Sequence, residues 1–236
     1  MRVGATLLLH RGMCVQSYGW SYFRPLGRLE HALSMLDEYQ VDEVALIRPL
    51  RGSDSYQQIG DDLEKVQSAL SLTPTCFGGG IRSASDLEGL ASLPIERLLF
   101  NTACVRMDRS LIEAASEGFG GQALIALLPV RKGSGDRLEV YCSASSSYVP
   151  LRSKMIDFIQ KWANEIVLHD ATNEGFSDGF DEELLRRSPF PHDQTILSGG
   201  IGPSTSQWAR QHGIAAVHVD NRILHAEFSI PLYRHG

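Results

Sequence analysis

The sequence has few of the features that mark secreted, membrane-spanning and nucleic-acid-binding proteins. Only four of its 236 residues are cysteine. None stands in C-x-x-C spacing, so we expect no metal site and four buried, reduced thiols. No apolar run approaches the roughly 18 residues that a membrane span needs. The formal net charge of −6 and the scattered charges predict a soluble, cytoplasmic protein that binds neither nucleic acid nor membrane, and we expect no cofactor.

What the sequence does contain is a regular alternation of short apolar runs and helical patterns. Runs that are apolar on both faces are typical of parallel strands covered by helices. Eight runs predict strands: Val3–Leu9, Glu43–Ile47, Thr75–Phe77, Arg97–Phe100, Gln122–Leu128, Glu165–Leu168, Thr195–Leu197 and Ala216–Val219. Apolar spacing and caps predict helices at Arg28–Tyr39, Asp61–Leu70, Arg109–Glu117 (capped by Asp108), Pro150–Trp162, Asp181–Arg187 and Thr205–His212, with a short one from Ser85.

Eight strands in this alternation fit either a closed barrel or an open, doubly wound sheet. Internal repetition favours the barrel. The segment Phe77–Ser85 resembles Leu197–Thr205, and Asp42–Leu46 resembles Asn164–Leu168, both at offsets close to half the chain. Duplicated four-strand units close naturally into eight strands. The sequence therefore predicts an α/β fold, a single (β/α)8 TIM barrel of two half-barrel repeats that spans residues 1–236 as one domain.

Glycine segments follow the third and seventh strands at equivalent places in the repeat. Gly78–Gly80 and Gly199–Gly200 let the backbone approach a ligand closely, and a following helix start offers N–H groups to an anion. Asn101 and Thr102 follow the fourth strand and add side-chain donors beside the first segment. We expect phosphate here; the alternative is a glycine-rich turn without a ligand.

These motifs resemble the cyclase subunit of imidazole-glycerol-phosphate synthase. The matching segments are Val41–Val44, Gly78–Ile81, Leu99–Ala103, Ser110–Ile112, Asn164–Leu168, Gly179–Asp181 and Ser198–Gly200. The resemblance implies a ligand with two phosphates, one in each half-barrel. It assigns the first phosphate to Gly79, Gly80, Asn101 and Thr102, and the second to Gly175, Gly199, Gly200 and Asn221. It also implies a glutaminase on the N-terminal face that sends ammonia through the barrel.

The sequence departs from that family at the residues that carry its chemistry. Leu8 and Pro129 stand where the family has its two acid–base aspartates, and neither can transfer a proton. Arg48 replaces another aspartate, and Gln16 replaces a lysine that helps hold the ligand. At the second phosphate site, Asp220 stands beside Asn221, and a carboxylate there repels an anion unless a cation such as Arg222 intervenes.

Three polar residues at strand ends are candidates for new chemistry, because barrel enzymes react at the C-terminal ends of their strands. His10 shares a strand face with Leu8, and His169 and Asp170 end the sixth strand. Histidine titrates near neutral pH and can serve as acid or base. We predict His10, His169 and Asp170 as catalytic residues; the alternative is that they are satisfied polar groups at the barrel mouth.

At the opposite end of the barrel, four charged residues match the family's ring around the ammonia entrance: Arg2, Glu43, Arg97 and Glu165. Buried charges are costly unless they are paired. One interpretation is a gate that still admits ammonia from a glutaminase, and the other is a salt-bridge ring that closes the floor.

Three functions stay open on this reading. The first is an ammonia-using synthase subunit that pairs with a glutaminase, as in relatives that make amidino-substituted surface sugars and whose start is similar to Leu7–Leu9. Its substrate would be a phosphorylated small molecule or nucleotide sugar. The second is the ordinary cyclase of histidine biosynthesis, against which Leu8 and Pro129 argue. The third is a non-catalytic barrel that binds phosphate metabolites.

Overall fold

Eight parallel strands close into a barrel in the computed structural model, which describes residues 1–52, 57–69, 71–176, 179–224 and 230–235. In order around the barrel they are β1 (Arg2–His10), β4 (Val44–Ile47), β5 (Thr75–Gly78), β6 (Arg97–Phe100), β7 (Leu124–Lys132), β10 (Glu165–Asp170), β11 (Thr195–Ser198) and β12 (Ala216–Val219). The last strand pairs with the first, Arg2 opposite Ala216. All eight predicted strands are present, and the closed TIM barrel is confirmed.

Two antiparallel hairpins extend the sheet beyond the barrel at its C-terminal end. The first hairpin, β2 (Met13–Tyr18) and β3 (Tyr22–Gly27), continues β1. The second hairpin, β8 (Leu138–Cys142) and β9 (Ser147–Pro150), continues β7. The sequence indicates the turn between β7 and β8 through its glycines at 133 and 135, but the first hairpin was not predicted.

The helices lie outside the barrel: α1 (Leu29–Glu38), α2 (Gln57–Ser68), α3 (Ala84–Leu90), α4 (Thr102–Arg106), α5 (Arg109–Phe119), α6 (Ser153–Gln160), α7 (Glu182–Arg186), α8 (Pro203–Gln211) and α9 (Ile230–His235). The predicted cap is confirmed, because Asp108 accepts a hydrogen bond from the Leu111 amide. Leu70, the predicted end of one helix, lies outside the described residues, and α4 was not predicted. No helix in the described ranges has the length and apolar character needed to cross a membrane.

Alternating strand residues supply two apolar layers. A small cluster that includes Leu8, Ile47 and Val167 fills the barrel interior, while a larger one packs the strands against the helices. All four cysteines are free and buried, as predicted. Burial raises the pKa of Cys14 to about 12, with Glu30 acting in the same direction, so this thiol is a packing residue rather than a nucleophile.

Candidate functional site

The four charged residues at the N-terminal ends of the strands form a closed ring. Arg97 contacts both Glu43 and Glu165, the latter at 2.6 Å, and Arg2 contacts the same two carboxylates, with 3.4 Å between its Nε and Glu43 Oε1. Each charge therefore has two neighbours of opposite sign. The ring spans the barrel floor, and its pairing offsets the desolvation that the two buried carboxylates suffer.

A fifth residue, His218 of β12, joins this ring from inside the barrel. Its Nε2 lies 2.8 Å from Glu43 Oε1. Burial alone would raise the pKa of Glu43, but the hydrogen bond and charge of His218, with Arg97 and Arg2, hold that pKa well below its usual value. Gly4 leaves room for the contact, since a Cβ there would lie 2.8 Å from both side chains. Glu43 is therefore charged at neutral pH.

At the mouth of the first half-barrel, a small cavity opens beside the first glycine segment. The lining residues that carry a polar side chain are Trp20, Arg48, Arg82, Asn101, Thr102 and Ser143, and Gly79 and Gly80 contribute backbone. Gly79 has a φ of +98°, and a Cβ there would lie 2.0 Å from the Arg48 carbonyl oxygen. Chain packing alone thus requires this glycine, so its presence does not by itself report a ligand.

Two arginines approach this cavity, which we call the first cradle. Arg48 is buried; its Nε donates to Asp62 at 2.8 Å, and its guanidinium also donates to the Gly79 carbonyl at 3.3 Å. Arg82 lines the same space. The start of α3 is already satisfied, because Asp86 accepts from the amides of Arg82 and Ser83. An anion in this cradle would therefore rely on the glycine loop, Thr102 and the arginines rather than on the end of α3.

The side chain of Asn101 uses its hydrogen-bonding groups within the protein instead of offering them to a phosphate. Its amide nitrogen donates to the carbonyls of Leu127 and Tyr141, at 3.2 and 2.9 Å. Its oxygen accepts from the amide and hydroxyl of Ser143, at 2.9 and 2.7 Å. All these bonds tie the end of β6 to β7 and to the second hairpin, so Asn101 shapes the wall of the cradle.

The second half-barrel repeats the backbone of the first. Gly199 has a φ of +84°, and a Cβ there would lie 2.4 Å from the carbonyl oxygen of Asp170, which ends the preceding strand. Gly200 has a φ of +73°, and its carbonyl accepts from the amides of Gly179 and Phe180. The side chain of Asn221 lies outside the described part of the chain. The second phosphate site stays a prediction.

Asp170 is fully engaged in holding the loop that follows β10. One carboxylate oxygen accepts from the amides of Thr172 and Asn173, and the other from the Asn173 side chain and the Asp181 amide. The side chain is completely buried and does not share the barrel interior with its neighbour His169. The two predicted catalytic residues are therefore not brought together.

His169 lies inside the barrel beneath the first hairpin. Its Nδ1 lies 3.2 Å from the Ser198 hydroxyl, which in turn lies 3.4 Å from the Thr6 hydroxyl. The indole of Trp20 covers the imidazole, with ring centroids 4.6 Å apart. Burial lowers the pKa of His169 to about 3, so the ring is neutral at pH 7. Its Nε2 has no partner among the described residues.

The other residues that the sequence places at the mouth are His10, Leu8 and Pro129. His10 stacks on Phe23 of the first hairpin, with centroids 5.1 Å apart. Leu8 faces the barrel interior, and Pro129 pairs with His169 in the β7–β10 register and lines the mouth. Both positions thus lie where acid–base groups would act, and neither carries one.

Two residues at the mouth, Trp20 and Glu174, and one at the floor, His218, were not predicted as site residues. Trp20 stands at the tip of the first hairpin with a φ of +50°, and Glu174 accepts hydrogen bonds from its amide and from the Ser17 hydroxyl, both at 3.0 Å. Burial raises the pKa of Glu174 to about 7 despite these bonds. His218 lies inside a predicted strand and neither Trp20 nor Glu174 adjoins one, so no local pattern marked them as site residues.

The fold and mouth define a duplicated (β/α)8 barrel with one glycine loop per half and a charged floor. In the described residues no group of His, Cys, Asp or Glu side chains is arranged to hold a metal. The chain matches the family described as histidine biosynthesis protein over residues 2–227, and it belongs to that family.

Within this family the chain is a divergent relative of the imidazole glycerol phosphate synthase cyclase subunit. It is 24% identical to the synthase subunit hisF2 of Vibrio vulnificus, over 92% of this chain and 80% of that protein. Identity with the Pseudomonas aeruginosa subunit hisF2 is 28%, over 83% and 78%. Identity with subunit HisF of Helicobacter hepaticus is also 28%, over 68% and 64%.

Proposed function

We propose that this chain is the synthase subunit of an ammonia-using enzyme, that it binds a phosphorylated small molecule at its mouth, and that a glutaminase docks on its N-terminal face. The observation that carries the proposal is the closed charge ring, above which a few polar side chains interrupt the apolar filling of the barrel. Inside the ring lies His218, and nearer the mouth Thr6, Ser198 and His169 contact one another in turn. A small polar molecule that passed the floor would meet hydrogen-bonding groups at these two levels.

The ligand proposal rests on the first cradle. Glycine backbone, Thr102 and two arginines surround one cavity, and arginine is suited to phosphate through its charge and its forked donors. The substrate class that we propose is a phosphorylated sugar or nucleotide-linked sugar. The family's ordinary cyclization is not proposed, because Leu8 and Pro129 occupy the acid–base positions at the mouth.

Docking is tested by co-expressing the chain with each glutaminase subunit encoded in the same genome. We expect a stable complex on size exclusion. Glu165→Ala should open the ring, so that glutamine hydrolysis continues while ammonia escapes to solution instead of reaching a phosphorylated-sugar acceptor. Glu182→Ala, which removes a carboxylate from the exposed pair with Arg186 on α7, is the control.

Two results would contradict the ammonia proposal. One is a barrel that forms no complex with any of these glutaminases. The other is a Glu165→Ala variant that loses thermal stability without any change in the ratio of hydrolysis to product. In either case the ring is a structural closure of the floor.

A second candidate, a non-catalytic barrel that binds phosphate metabolites, is favoured by one observation. The Asp170 carboxylate accepts hydrogen bonds from its own loop, and His169 lies under Trp20. Neither group therefore reaches the cradle in this conformation. Phosphate binding without turnover of any phosphorylated sugar, with ammonium supplied directly, would select this candidate.

A further inference from the structure

The first hairpin packs against the loop that carries Gly175, one of the residues assigned to the second phosphate. Gly175 has a φ of +87°, and a Cβ there would lie 2.3 Å from the carbonyl oxygen of Ser17 in the first hairpin. The Gly19 amide donates to the Glu174 carbonyl at 3.2 Å, and Arg222 donates to the Gly175 carbonyl. The first hairpin is therefore seated on the loop that the sequence assigns to the second phosphate.

The charges at this position also disfavour an anion. Glu174 and Asp220 are only 4% and 8% exposed, and they are close enough for Asp220 to raise the pKa of Glu174 further. Arg222 lies 3.9 Å from Asp220 and offsets part of this charge, which leaves two carboxyl groups to one arginine at the second mouth. The first cradle has the reverse balance, because Arg48 and Arg82 line it and Asp62 pairs with Arg48. This balance favours a phosphate at the first mouth over the second.

A second cavity lies between the two hairpins and adjoins the first cradle. Trp20 lines both cavities. The side-chain amide of Asn101, in the cradle wall, donates to the carbonyl of Tyr141, in the wall of the second cavity. We call this second cavity the interhairpin pocket. The two spaces therefore share a wall, formed by Trp20 and by the contact between Asn101 and Tyr141.

Three of the nine residues that line the interhairpin pocket are aromatic: Trp20, Tyr141 and Tyr148. Arg51, Ser21 and Ser146 add polar groups to the same walls. The two tyrosines are cross-strand neighbours in edge-to-face contact, with centroids 5.2 Å apart, and Arg131 lies 3.8 Å from the centre of the Tyr148 ring. These contacts fix the tyrosines, and rigid aromatic side chains are good platforms for a planar ring.

We propose that the ligand carries a single phosphate, held in the first cradle, and a planar, uncharged heterocycle that packs in the interhairpin pocket, as in a nucleoside monophosphate. This deepens the proposed function, since it rests on phosphate binding in the first cradle. It replaces the expectation of two phosphates: the second half-barrel is closed by the first hairpin and by Glu174 and Asp220.

Calorimetry on the full chain tests the proposal with four probes: inorganic phosphate, ribose 5-phosphate, fructose 1,6-bisphosphate, and adenosine and uridine 5′-monophosphates as a pair. We expect at least one nucleotide to bind tenfold or more tightly than ribose 5-phosphate. The bisphosphate should bind no more tightly than ribose 5-phosphate. Inorganic phosphate should compete with all of them.

Two variants test whether the ligand's heterocycle binds in the interhairpin pocket. Tyr148→Ala should weaken nucleotide binding at least tenfold and leave ribose 5-phosphate within twofold, whereas Tyr22→Ala, at a 78% exposed residue, should change neither. Nucleotides that bind no better than ribose 5-phosphate, or a bisphosphate that binds tenfold better, would overturn the single-phosphate proposal while leaving the cradle intact. Absence of binding by all phosphate probes would overturn the cradle and the proposed function with it.

Discussion

In each half of the barrel, the first strand runs for nine residues and continues into an antiparallel hairpin. In each half, a left-handed glycine after the third strand packs against the carbonyl that ends or follows the second, Gly79 against Arg48 and Gly199 against Asp170. The side chains around these equal backbones differ. Arginines line the first mouth, while buried carboxylates and the first hairpin fill the second. The comparison shows that the glycines persist because the chain packing needs them, whether or not a ligand binds.

The largest effect on stability is expected from substituting the left-handed glycine that the two halves share. Gly79→Ala and Gly199→Ala each place a Cβ within 2.4 Å of a carbonyl oxygen at positive φ, so we expect each to lower the free energy of unfolding by more than about 4 kcal/mol. Gly213→Ala is the control, because its φ is +70° but no atom lies within 4 Å, and it should cost about 1 kcal/mol. Urea unfolding measures all three. Equal losses at 79 and 213 would show that the backbone contact is unimportant.

A smaller effect is expected on the pH dependence of stability, because a buried glutamate, Glu174, lies at the mouth of the second half. Its pKa is raised from 4.5 to about 7, so the stability it contributes is fully present below pH 4.5 and is lost as the pH rises through about 7. We expect the wild type to lose about 2–3 kcal/mol more than Glu174→Gln between pH 5 and pH 8.

The control for this comparison is Glu117→Gln, at an exposed residue of α5, which should leave the wild-type pH profile unchanged. Parallel profiles for the wild type and Glu174→Gln would mean that the Glu174 carboxyl titrates at its usual pH and that its burial is incomplete.

The smallest effect is expected on the pKa of His169, in the second half, which Trp20 of the first hairpin covers. Trp20→Ala should uncover His169, so its pKa should rise from about 3 by at least one pH unit, about 1.4 kcal/mol. Titration of the imidazole by NMR measures this. Trp208→Ala is the matched control, because Trp208 stacks on His212 at the surface, with centroids 4.2 Å apart. A His169 pKa that does not move would mean that Trp20 is not what desolvates it.

The sequence predicts the barrel well because its strands are apolar on both faces, a pattern that survives in short runs such as Glu43–Ile47. The half-barrel repeat was visible for the same reason, through the glycines that packing requires. The first hairpin escaped prediction because it mixes polar and aromatic residues without alternation, and α4 because it is only five residues long.

The candidate site was predicted less completely, since its character depends on which side chains meet. The floor ring follows from the family resemblance, but His218 joins it only through the barrel register. His169 and Asp170 are sequence neighbours that point to opposite sides of β10, so one lies under Trp20 and the other holds a loop. The positions of Glu174 and Trp20 follow from long-range packing of the first hairpin, which no local pattern encodes.

If two equal backbones carry one anion site, a crystal structure of the protein grown from phosphate will show it most directly. We predict density for one phosphate in the first cradle, within hydrogen-bonding distance of the Gly79–Gly80 loop and Thr102, and none at Gly199–Gly200. A phosphate bound at Gly199–Gly200, or an empty first cradle at saturating phosphate, would contradict the account.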